Sequence, residues 1–251
     1  MNDFTSLNSY FDHIYLVTIY RARHRQEAIK KNLGGLNYEF FFGTDKQDHP
    51  VGDMIRDGIY DETLAMKNQR YHKPLTGGQI CCAWSHKKVY EDIIIKGFQK
   101  VLILEDDVSA AGNIGASAHL VLNELPENWE LLYMDYNKNE KTNTFKQYWY
   151  HVQKILGRLT WSHTTIQNLY PKKISEHLAS AGFHDFTSAY AITAAAAQKL
   201  LYLQTPIAYT ADNLLATAST TKLVNGLITL PKLFSQLSQG SDKLTHSFVD
   251  D

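Results

Sequence analysis

The segment 101–108, Val-Leu-Ile-Leu-Glu-Asp-Asp-Val, constrains the fold of this chain most, because four apolar residues stop abruptly at three carboxylates. A short apolar run of this kind is typical of a strand buried on both faces of a sheet. The acids Glu105, Asp106 and Asp107 then follow the carboxyl end of the strand, where open α/β sheets bind ligands. Three adjacent negative charges repel one another, and a divalent cation shared with a diphosphate would compensate them. The alternative is a solvated acidic turn.

Composition is that of a globular protein. The chain has 251 residues, enough for one large domain, and 44% of them are hydrophobic. The net charge of -1 gives no electrostatic reason to expect nucleic-acid binding. The two cysteines, Cys81 and Cys82, are neighbours, which predicts no disulfide framework, no thiolate metal site and a reducing compartment.

Neither a secretory signal nor a membrane span is predicted. Residues 1–12 are polar and lack a basic stretch followed by an apolar one. No apolar run approaches the ~20 residues that cross a bilayer. We therefore expect a cytoplasmic protein with at most peripheral membrane contact, at the inner face of the membrane.

Periodicity predicts an α/β order of elements. Residues 14–19 and 38–42 read as strands, with a helix between them that ends at Gly34-Gly35. A longer helix opens at Thr76-Gly77-Gly78 and ends at Gly97, before a strand at 99–104. The remaining predictions are a helix ending near 125, a helix at 194–203, strands at 129–135, 188–193 and 227–230, and a polar tail at 235–251. Residues 136–180 are rich in aromatic side chains without a clear period, so we interpret them as an insertion or subdomain.

Several segments in the same order resemble glycosyltransferase family 25, which includes lipooligosaccharide and collagen galactosyltransferases. The most specific match is residues 75–86, Leu-Thr-Gly-Gly-Gln-Ile-Cys-Cys-Ala-Trp-Ser-His, followed by the helix and the acidic strand end at 101–108. The family shows a similar glycine-rich start, a Cys-x-x-Ser-His helix and a strand ending in Glu-Asp-Asp. The chain departs from this pattern at Gln79, where the family usually has Glu, at Cys81, where it has Gly, and at Tyr20, where it often has an acid.

The resemblance implies a fold class and a division of the chain. It implies a Rossmann-like α/β fold of the GT-A type, the fold of nucleotide-diphospho-sugar transferases, in one domain over residues 1–251. Residues 12–112 would form the nucleotide-sugar half, and residues 113–251 the acceptor half, with the insertion at 136–180. Trp149, Tyr150 and Trp161 of the insertion would either present a ring to a sugar or form the core of a small subdomain.

The resemblance also implies donor-binding residues and a metal. Mn²⁺ or Mg²⁺ would bind Asp107, with His246 as a further ligand unless it is a solvent-exposed histidine. Glu105 or Asp106 would face the ribose of the UDP-sugar. The other predicted donor-binding residues are Thr18, Arg21, Arg25, Gly77, Gly78 and Gln79.

Each of these assignments has a structural alternative. The arginines would otherwise be a solvated helix start, and the two glycines would only make a turn. A different donor or a weakened activity would follow from the missing carboxylate at Gln79.

Two residues are candidate catalytic groups. His86 lies on the apolar face of the predicted helix, where a histidine is otherwise a core residue with a satisfied hydrogen bond. Asp212 is a candidate general base toward the acceptor, and otherwise the N-cap of a helix at 213–218. Asp185 and Asp135 are weaker candidates for the base.

The function that these expectations describe is an inverting transfer of a sugar to a cell-surface saccharide. The donor would be a UDP-sugar, with galactose expected, and the acceptor an oligosaccharide or a glycolipid such as lipooligosaccharide. The alternative is a non-catalytic protein of the same fold that binds a nucleotide sugar.

Overall fold

The computed structural model describes residues 2–237, which form an α/β fold around an eight-stranded sheet. In chain order the elements are α1 (Thr5–Tyr10), β1 (His13–Thr18), α2 (Arg23–Asn32), β2 (Glu39–Phe42), α3 (Val51–Arg56), α4 (Glu62–Asn68), α5 (Gly77–Lys96), β3 (Lys100–Glu105), β4 (Val108–Ala110), α6 (Ile114–Glu124), β5 (Leu131–Tyr133), α7 (Thr144–Ile155), α8 (His163–Gln167), β6 (Lys172–Lys173), β7 (Leu178–Ser180), β8 (Ala189–Thr193), α9 (Ala194–Leu203), α10 (Ala211–Thr220), β9 (Gly226–Thr229) and β10 (Phe234–Gln236).

The sheet has the order β2-β1-β3-β8-β5-β9-β7-β6. Strands β1, β2 and β3 are parallel, whereas β8 is antiparallel to both of its neighbours, β3 and β5. Strand β5 is parallel to β9. The α/β fold class is thus confirmed, and β8 makes the sheet mixed.

A hydrophobic core lies on each face of the sheet. Successive side chains of a strand point to opposite faces, so a strand whose side chains are all buried must be covered on both faces. Leu102 and Leu104 of β3 pack with α1 and α6 on one face, while Val101 and Ile103 pack with α5, α9 and α10 on the other. All four side chains are fully buried. The strand predicted from the apolar run at 101–104 is therefore central, and its carboxyl end brings the acids to the middle of one sheet edge.

The glycine-rich start of α5 is a capped helix terminus. Thr76 accepts a hydrogen bond from the backbone N–H of Gln79, and the Gln79 side chain accepts one from the backbone N–H of Thr76, which together form a capping box. At the other end, Gly97 adopts the left-handed conformation with φ 74° and closes the helix. Both predicted ends of this helix are correct.

A glycine brings β2 close to α5. A Cβ added to Gly43 would lie 2.8 Å from Cβ of Ser85 and closer still to its hydroxyl. The Ser85 hydroxyl accepts a hydrogen bond from the backbone N–H of Thr44 at 2.8 Å and donates one to the Cys81 carbonyl at 2.7 Å. The Ser85 of the sequence motif therefore fixes the loop that follows β2.

The aromatic-rich segment has more regular structure than its sequence pattern indicates. It contains α7 and α8, and with Phe183 and Ala216 it forms a separate small core, whose other members are Tyr150, Leu159, Trp161, Ile166, Leu169 and Tyr170. Strands β6 and β7 extend the main sheet at its edge, so residues 172–180 belong to the sheet and not to an inserted subdomain. No clear period was recognised in the sequence here, although the apolar residues of α7 recur at helical spacing.

Two further expectations need correction. The helix predicted at 213–218 starts at Ala211 and has Thr210 as its N-cap, so Asp212 lies in the first turn and is not the cap. The start of the polar tail is a strand, β10, which pairs antiparallel with β4 directly after the acids.

No helix within residues 2–237 is both long and apolar enough to cross a bilayer.

Candidate active site

The first cavity, with a volume of about 110 Å³, lies at the carboxyl ends of β1 and β3 beside the N-terminal half of α5. This is the position expected for a ligand of an open α/β sheet. It is lined by Val17, Thr18, Ile19, Arg21, Thr44, Asp45, Lys46, Gly78, Cys81, Cys82, Ser85, His86, Glu105 and Asp106. Six predicted site residues therefore meet there: Thr18, Arg21, Gly78, His86, Glu105 and Asp106.

Glu105 is the carboxylate at the back of the first cavity. Its Oε1 accepts a hydrogen bond from the Thr187 hydroxyl and lies 3.3 Å from Nε2 of His86. Burial alone would raise the pKa of Glu105, but the hydrogen bonds from His86 and Thr187 and the charge of Arg25 hold it below its usual value. Glu105 is thus an anion with a fixed orientation.

His86 is buried, with 1% of its surface exposed, and both ring nitrogens have partners. Nδ1 lies 2.7 Å from the Tyr190 hydroxyl, which is 3.0 Å from the hydroxyl of Tyr90. Nε2 faces Glu105. The histidine is therefore a core residue with satisfied hydrogen bonds that also orients a carboxylate of the cavity, and its catalytic role stays a prediction.

Asp106 forms a buried cluster with residues of β1 and α2. It accepts a hydrogen bond from the Thr18 hydroxyl and one from Nη1 of Arg25 at 2.9 Å. Both ionic side chains are more than nine-tenths buried. Removing one partner of such a buried pair is strongly destabilising. Arg25 was predicted to bind the donor, but in this structure it pairs with Asp106. Arg25 is not among the residues that line the first cavity.

Asp107 is buried at the turn between β3 and β4. One carboxylate oxygen accepts a hydrogen bond from the Gln236 side chain at 3.1 Å and lies 3.9 Å from Nη1 of Arg25. The backbone N–H of Leu237 donates to the Asp107 carbonyl at 2.7 Å. The start of the tail thus covers this acid, while residues 238–251, including His246, lie outside the described residues.

Arg21 and the first residues of α5 flank the mouth of the first cavity. Arg21 forms an ion pair with Asp45 through Nε and Nη2, and Lys46 lies beside it on the cavity wall. Gly78 lines the cavity, whereas a Cβ added to Gly77 would contact the Val51 side chain. Backbone N–H groups at a helix N-terminus and a guanidinium group are suited to a phosphate.

The second cavity, of about 280 Å³, lies on the other side of the α5 N-terminus. Its lining contains cations, two acids and aromatic rings. It is lined by Gln69, Arg70, Tyr71, Gln79, Lys138, Asn139, Lys146, Trp161, Phe183, Asp185, Thr210, Asp212 and Asn213. Two predicted site residues, Gln79 and Asp212, therefore lie here and not in the first cavity.

Asp212 is held by its own helix start. It accepts hydrogen bonds from the Thr210 hydroxyl and, at 2.8 Å, from the backbone N–H of Asn213. Burial raises the pKa of Asp212, and the negative charge of Asp185 raises it further. Asp185 itself pairs with Lys138. A carboxylate with a raised pKa in a cavity is suited to accept a proton near neutral pH.

Cys82 connects the two cavities electrostatically. Burial raises the pKa of its thiol, and the negative charges of Glu105, Asp212 and Asp107 raise it further. Carboxylates of both cavities therefore act on one side chain of α5. A raised pKa disfavours the thiolate form, which argues against a nucleophilic role.

Arg70 forms an aromatic cage with its neighbours on the wall of the second cavity. Its guanidinium carbon lies 4.7 Å from the ring centres of Tyr71 and Tyr150 and 4.5 Å from that of Trp161. It also donates a hydrogen bond to the Tyr150 hydroxyl. Within residues 2–237 Arg70 forms no ion pair with a carboxylate. The arginine was not predicted, because a lone arginine in an irregular segment gives no periodic signal.

The acids after β3 do not form a ready-made metal site. Glu105, Asp106 and Asp107 point toward His86, Arg25 and Gln236, respectively. The group of metal-ligating atoms that converges within residues 2–237 is Cys82, His86 and Glu105, with all ligand atoms within 4.8 Å of one another. A thiol, an imidazole and a carboxylate favour Zn²⁺ over Mn²⁺ or Mg²⁺. One carboxylate such as Asp107 fits an ion that arrives with substrate phosphates, as Mg²⁺ usually does.

The weaker predictions fall in different places. Asp135 is buried against the Ser188 hydroxyl and does not line either cavity, whereas Asp185 lines the second. Of the aromatic residues, Trp161 lines the second cavity, Tyr150 packs in the small core, and Trp149 faces outward. Thr187 and Tyr190, which hold Glu105 and His86, were not predicted as site residues, although Thr187 directly precedes the predicted strand at 188–193 and Tyr190 lies within it.

The chain is similar to glycosyltransferase 25 family proteins over between half and three quarters of its length. It is 27% identical over 194 residues to a glycosyltransferase 25 family member of Aedes aegypti, covering 75% of this chain and 28% of that one. It is 23% identical over 202 residues to the human inactive glycosyltransferase 25 family member 3, covering 77% and 29%. Human procollagen galactosyltransferase 2 is 23% identical over 128 residues, covering 49% and 20%. The chain thus spans less than a third of the length of each of these relatives.

Among solved structures, the apo form of mouse xyloside xylosyltransferase 1 matches with a TM-score of 0.36 and 10% identity, covering 87% of this chain and 73% of that one. The model of glycosyltransferase family 25, described as an LPS biosynthesis protein, matches residues 11–215. These residues include both cavities' acids, the motif at 75–86 and the acidic strand end. The chain belongs to glycosyltransferase family 25.

Proposed function

We propose that this chain transfers a sugar from a UDP-sugar to an oligosaccharide or glycolipid acceptor, with inversion at the anomeric carbon. The observation that carries the proposal is the pair of cavities that share the first turn of α5, with Glu105 in one and Asp212 in the other. A displacement reaction needs a donor and an acceptor held in line, so two adjoining cavities with separate acids suit it.

The first cavity would hold the UDP-sugar. Arg21, Lys46 and the N–H groups at the start of α5 supply positive charge for a diphosphate. Glu105, fixed by His86 and Thr187, would accept a hydrogen bond from a ribose or sugar hydroxyl. Mn²⁺ or Mg²⁺ would bind Asp107 together with the phosphates of the donor. When bound, such an ion neutralises charge that develops on the departing diphosphate.

The second cavity would hold the acceptor. Asp212 accepts the proton of the attacking hydroxyl, whose oxygen forms a bond to the anomeric carbon. The bond from that carbon to the diphosphate oxygen breaks, and UDP leaves with the electron pair. Trp161 and Tyr71 offer rings for the apolar face of a sugar.

Galactose is our proposal for the transferred sugar. It is supported by the name of one relative, human procollagen galactosyltransferase 2, and by the resemblance of the motif at 75–86. We also propose that the chain acts in the cytoplasm, at the inner face of the membrane, on a saccharide of the lipopolysaccharide type. The description of the family as an LPS biosynthesis protein supports that acceptor.

A second candidate function is a protein that binds a nucleotide sugar without turning it over. Two observations favour it: one similar human protein is named inactive, and Gln79 replaces the carboxylate that is usual in the family. Gln79 lies in the second cavity and takes part in the capping box of α5. A glutamine in place of the carboxylate would therefore affect acceptor binding more than donor binding.

Donor binding and hydrolysis distinguish the two candidates. Thermal unfolding with UDP-galactose, UDP-glucose, UDP-N-acetylglucosamine and GDP-mannose identifies the donor, because a ligand at 100 times its Kd stabilises the fold by about 2.7 kcal/mol. Release of UDP from the stabilising donor is then measured with Mn²⁺, with and without EDTA. Turnover that stops with EDTA supports the transferase. Stabilisation without turnover, across donors and with lipopolysaccharide fragments as acceptors, supports the binding protein.

A further inference from the structure

Helix α7 is amphipathic, but its apolar face points toward solvent and its more polar face toward the protein. Five large apolar side chains on and at the end of this helix are exposed: Phe145 (79%), Tyr148 (68%), Trp149 (48%), Ile155 (77%) and Leu156 (58%). At 100° per residue they fall, together with Val152, within an arc of about 120° on one face. A monomeric soluble protein rarely exposes a continuous apolar face of this size.

The opposite face of α7 makes the contacts with the rest of the protein. Tyr150 packs in the small core, and the Gln147 side chain donates to the Ile166 carbonyl at 2.6 Å. Lys146 donates to the side-chain oxygen of Asn139 at 3.1 Å. The helix is therefore fixed by its more polar face, and its apolar face is available for a partner.

The charge of this region indicates what kind of partner it fits. Residues 141–175 contain six lysines and arginines and no aspartate or glutamate, in a chain whose net charge is only -1. Exposed Lys141 precedes α7 and exposed Arg158 follows it, so a cation flanks each end of the apolar face. Cations beside exposed Phe, Tyr and Trp side chains are typical of a helix that lies in the interface of an anionic membrane.

We propose that α7 binds this protein to the surface of a membrane that contains anionic lipids. The apolar arc lies between the headgroups and the first part of the acyl chains, and Lys141 and Arg158 contact lipid phosphates. Its 12 residues are about 18 Å long, well short of the ~30 Å hydrocarbon core, so the helix lies in the plane of the membrane and does not cross it. This inference does not depend on the proposed transferase activity, because the membrane would contact the solvent-exposed face of α7 and not the face that adjoins the second cavity.

The test is binding to vesicles of two compositions, measured by sedimentation. The protein is mixed with vesicles of phosphatidylcholine alone, or of phosphatidylcholine and phosphatidylglycerol at a ratio of 3:1. We expect binding to the anionic vesicles, at least tenfold weaker binding to the neutral ones, and weakening of the anionic binding at 0.5 M NaCl. The emission of Trp149 should shift to shorter wavelength on binding.

Paired variants separate this helix from other surfaces. Phe145→Ser with Trp149→Ser should lower the partition coefficient at least tenfold. The matched control is Ile95→Ser with Tyr202→Ser, which removes two apolar side chains that are 81% and 83% exposed elsewhere. Lys141→Glu with Arg158→Glu should weaken binding, whereas Lys31→Glu with Lys67→Glu, also at exposed lysines, should leave it within twofold.

Several outcomes would overturn the proposal. Binding that is absent, or that the α7 variants and their controls reduce equally, excludes this helix as the membrane contact. If the wild type dimerises without binding vesicles and the Phe145/Trp149 variant is monomeric, the face is an interface between copies. A large fall in the melting temperature of that variant, without vesicle binding by the wild type, would show that the protein's own chain covers the face.

Discussion

Gly78 and Gln79 are consecutive residues, yet Gly78 lines the first cavity and Gln79 lines the second. The first turn of α5 is therefore a common wall between the two candidate substrate sites. Its position is fixed by the capping box with Thr76 and by the packing of Ser85 against Gly43. A substitution in this turn should affect the binding of both substrates, whereas a substitution deeper in either cavity should affect the binding of one substrate alone.

The capping box predicts opposite effects of two substitutions at Gln79. Gln79→Glu keeps the acceptor for the Thr76 N–H and adds negative charge at the helix N-terminus, so we expect the free energy of unfolding to rise by about 0.3–1 kcal/mol. Gln79→Ala removes the acceptor and should lower it. Urea denaturation measures both. A less stable Gln79→Glu variant would show that the amide has a partner other than the capping box.

Close packing at Gly43 predicts a costly substitution. Gly43→Ala places a Cβ against the Ser85 side chain, and we expect a loss of about 1–3 kcal/mol in the free energy of unfolding, as for other overpacked sites. Gly112→Ala is the matched control, because no atom lies within 4 Å of a Cβ added there. Thermal denaturation of both variants gives the comparison. Equal stability of the two would contradict the packing argument.

A role of Asp212 as general base predicts a pH-dependent rate. The base acts only when ionised, and its pKa is raised, so the transfer rate should increase as the pH rises through that pKa. Asp212→Asn should lower the rate ~10²–10⁴-fold, remove this acid limb and leave UDP affinity near that of the wild type. The pH profile of kcat/KM and a UDP titration check the prediction. A folded variant with normal transfer excludes the role.

Asp107 should be required for metal-dependent transfer and not for folding. Asp107→Asn keeps an acceptor for the Gln236 side chain but removes the charge that a divalent ion needs, so UDP release should no longer respond to Mn²⁺. The melting temperature without metal is measured in parallel, with Asp57→Asn, at an exposed acid, as the control. Wild-type turnover with unchanged Mn²⁺ dependence would remove Asp107 from the metal site.

The aromatic cage of Arg70 predicts an effect confined to the acceptor. Arg70→Ala removes a cation from the wall of the second cavity, so the KM for an anionic acceptor should rise while hydrolysis of the donor alone is unchanged. Arg70→Lys keeps the charge but not the planar contact with Trp161, and should have an intermediate effect. An equal rise in KM for neutral and anionic acceptors would show that Arg70 supports the shape of the cavity and does not attract the acceptor through its charge.

The parts of the fold that the sequence predicts well are those with a strong local signal. The limits of α5 follow from Thr76 and Gly97, and β3 follows from an apolar run that ends at Glu105. The antiparallel direction of β8 has no such signal, because a buried strand has the same composition in either direction. Helix α7 was missed although its apolar residues recur at helical spacing, and its apolar face lies toward solvent.

The candidate site was predictable as a list of residues but not as two separate cavities. The motif at 75–86 and the acids at 105–107 identify the donor side, yet the partners of Asp106 and Asp107 come from α2 and β10, which are distant in sequence. Arg70, Lys138 and Trp161 come from three irregular segments that are distant in sequence and meet in the second cavity. Long-range contacts of this kind leave no trace in periodicity or spacing.

The two faces of α7 have a kinetic consequence. Lys146 on the inner face lines the second cavity, while the Phe145 and Trp149 rings point the other way. If the outer face rests on a membrane, the second cavity lies within one helix diameter of the lipid surface. A lipid-linked acceptor is then sought by diffusion in two dimensions, and its surface density replaces its bulk concentration as the quantity that sets the rate of encounter.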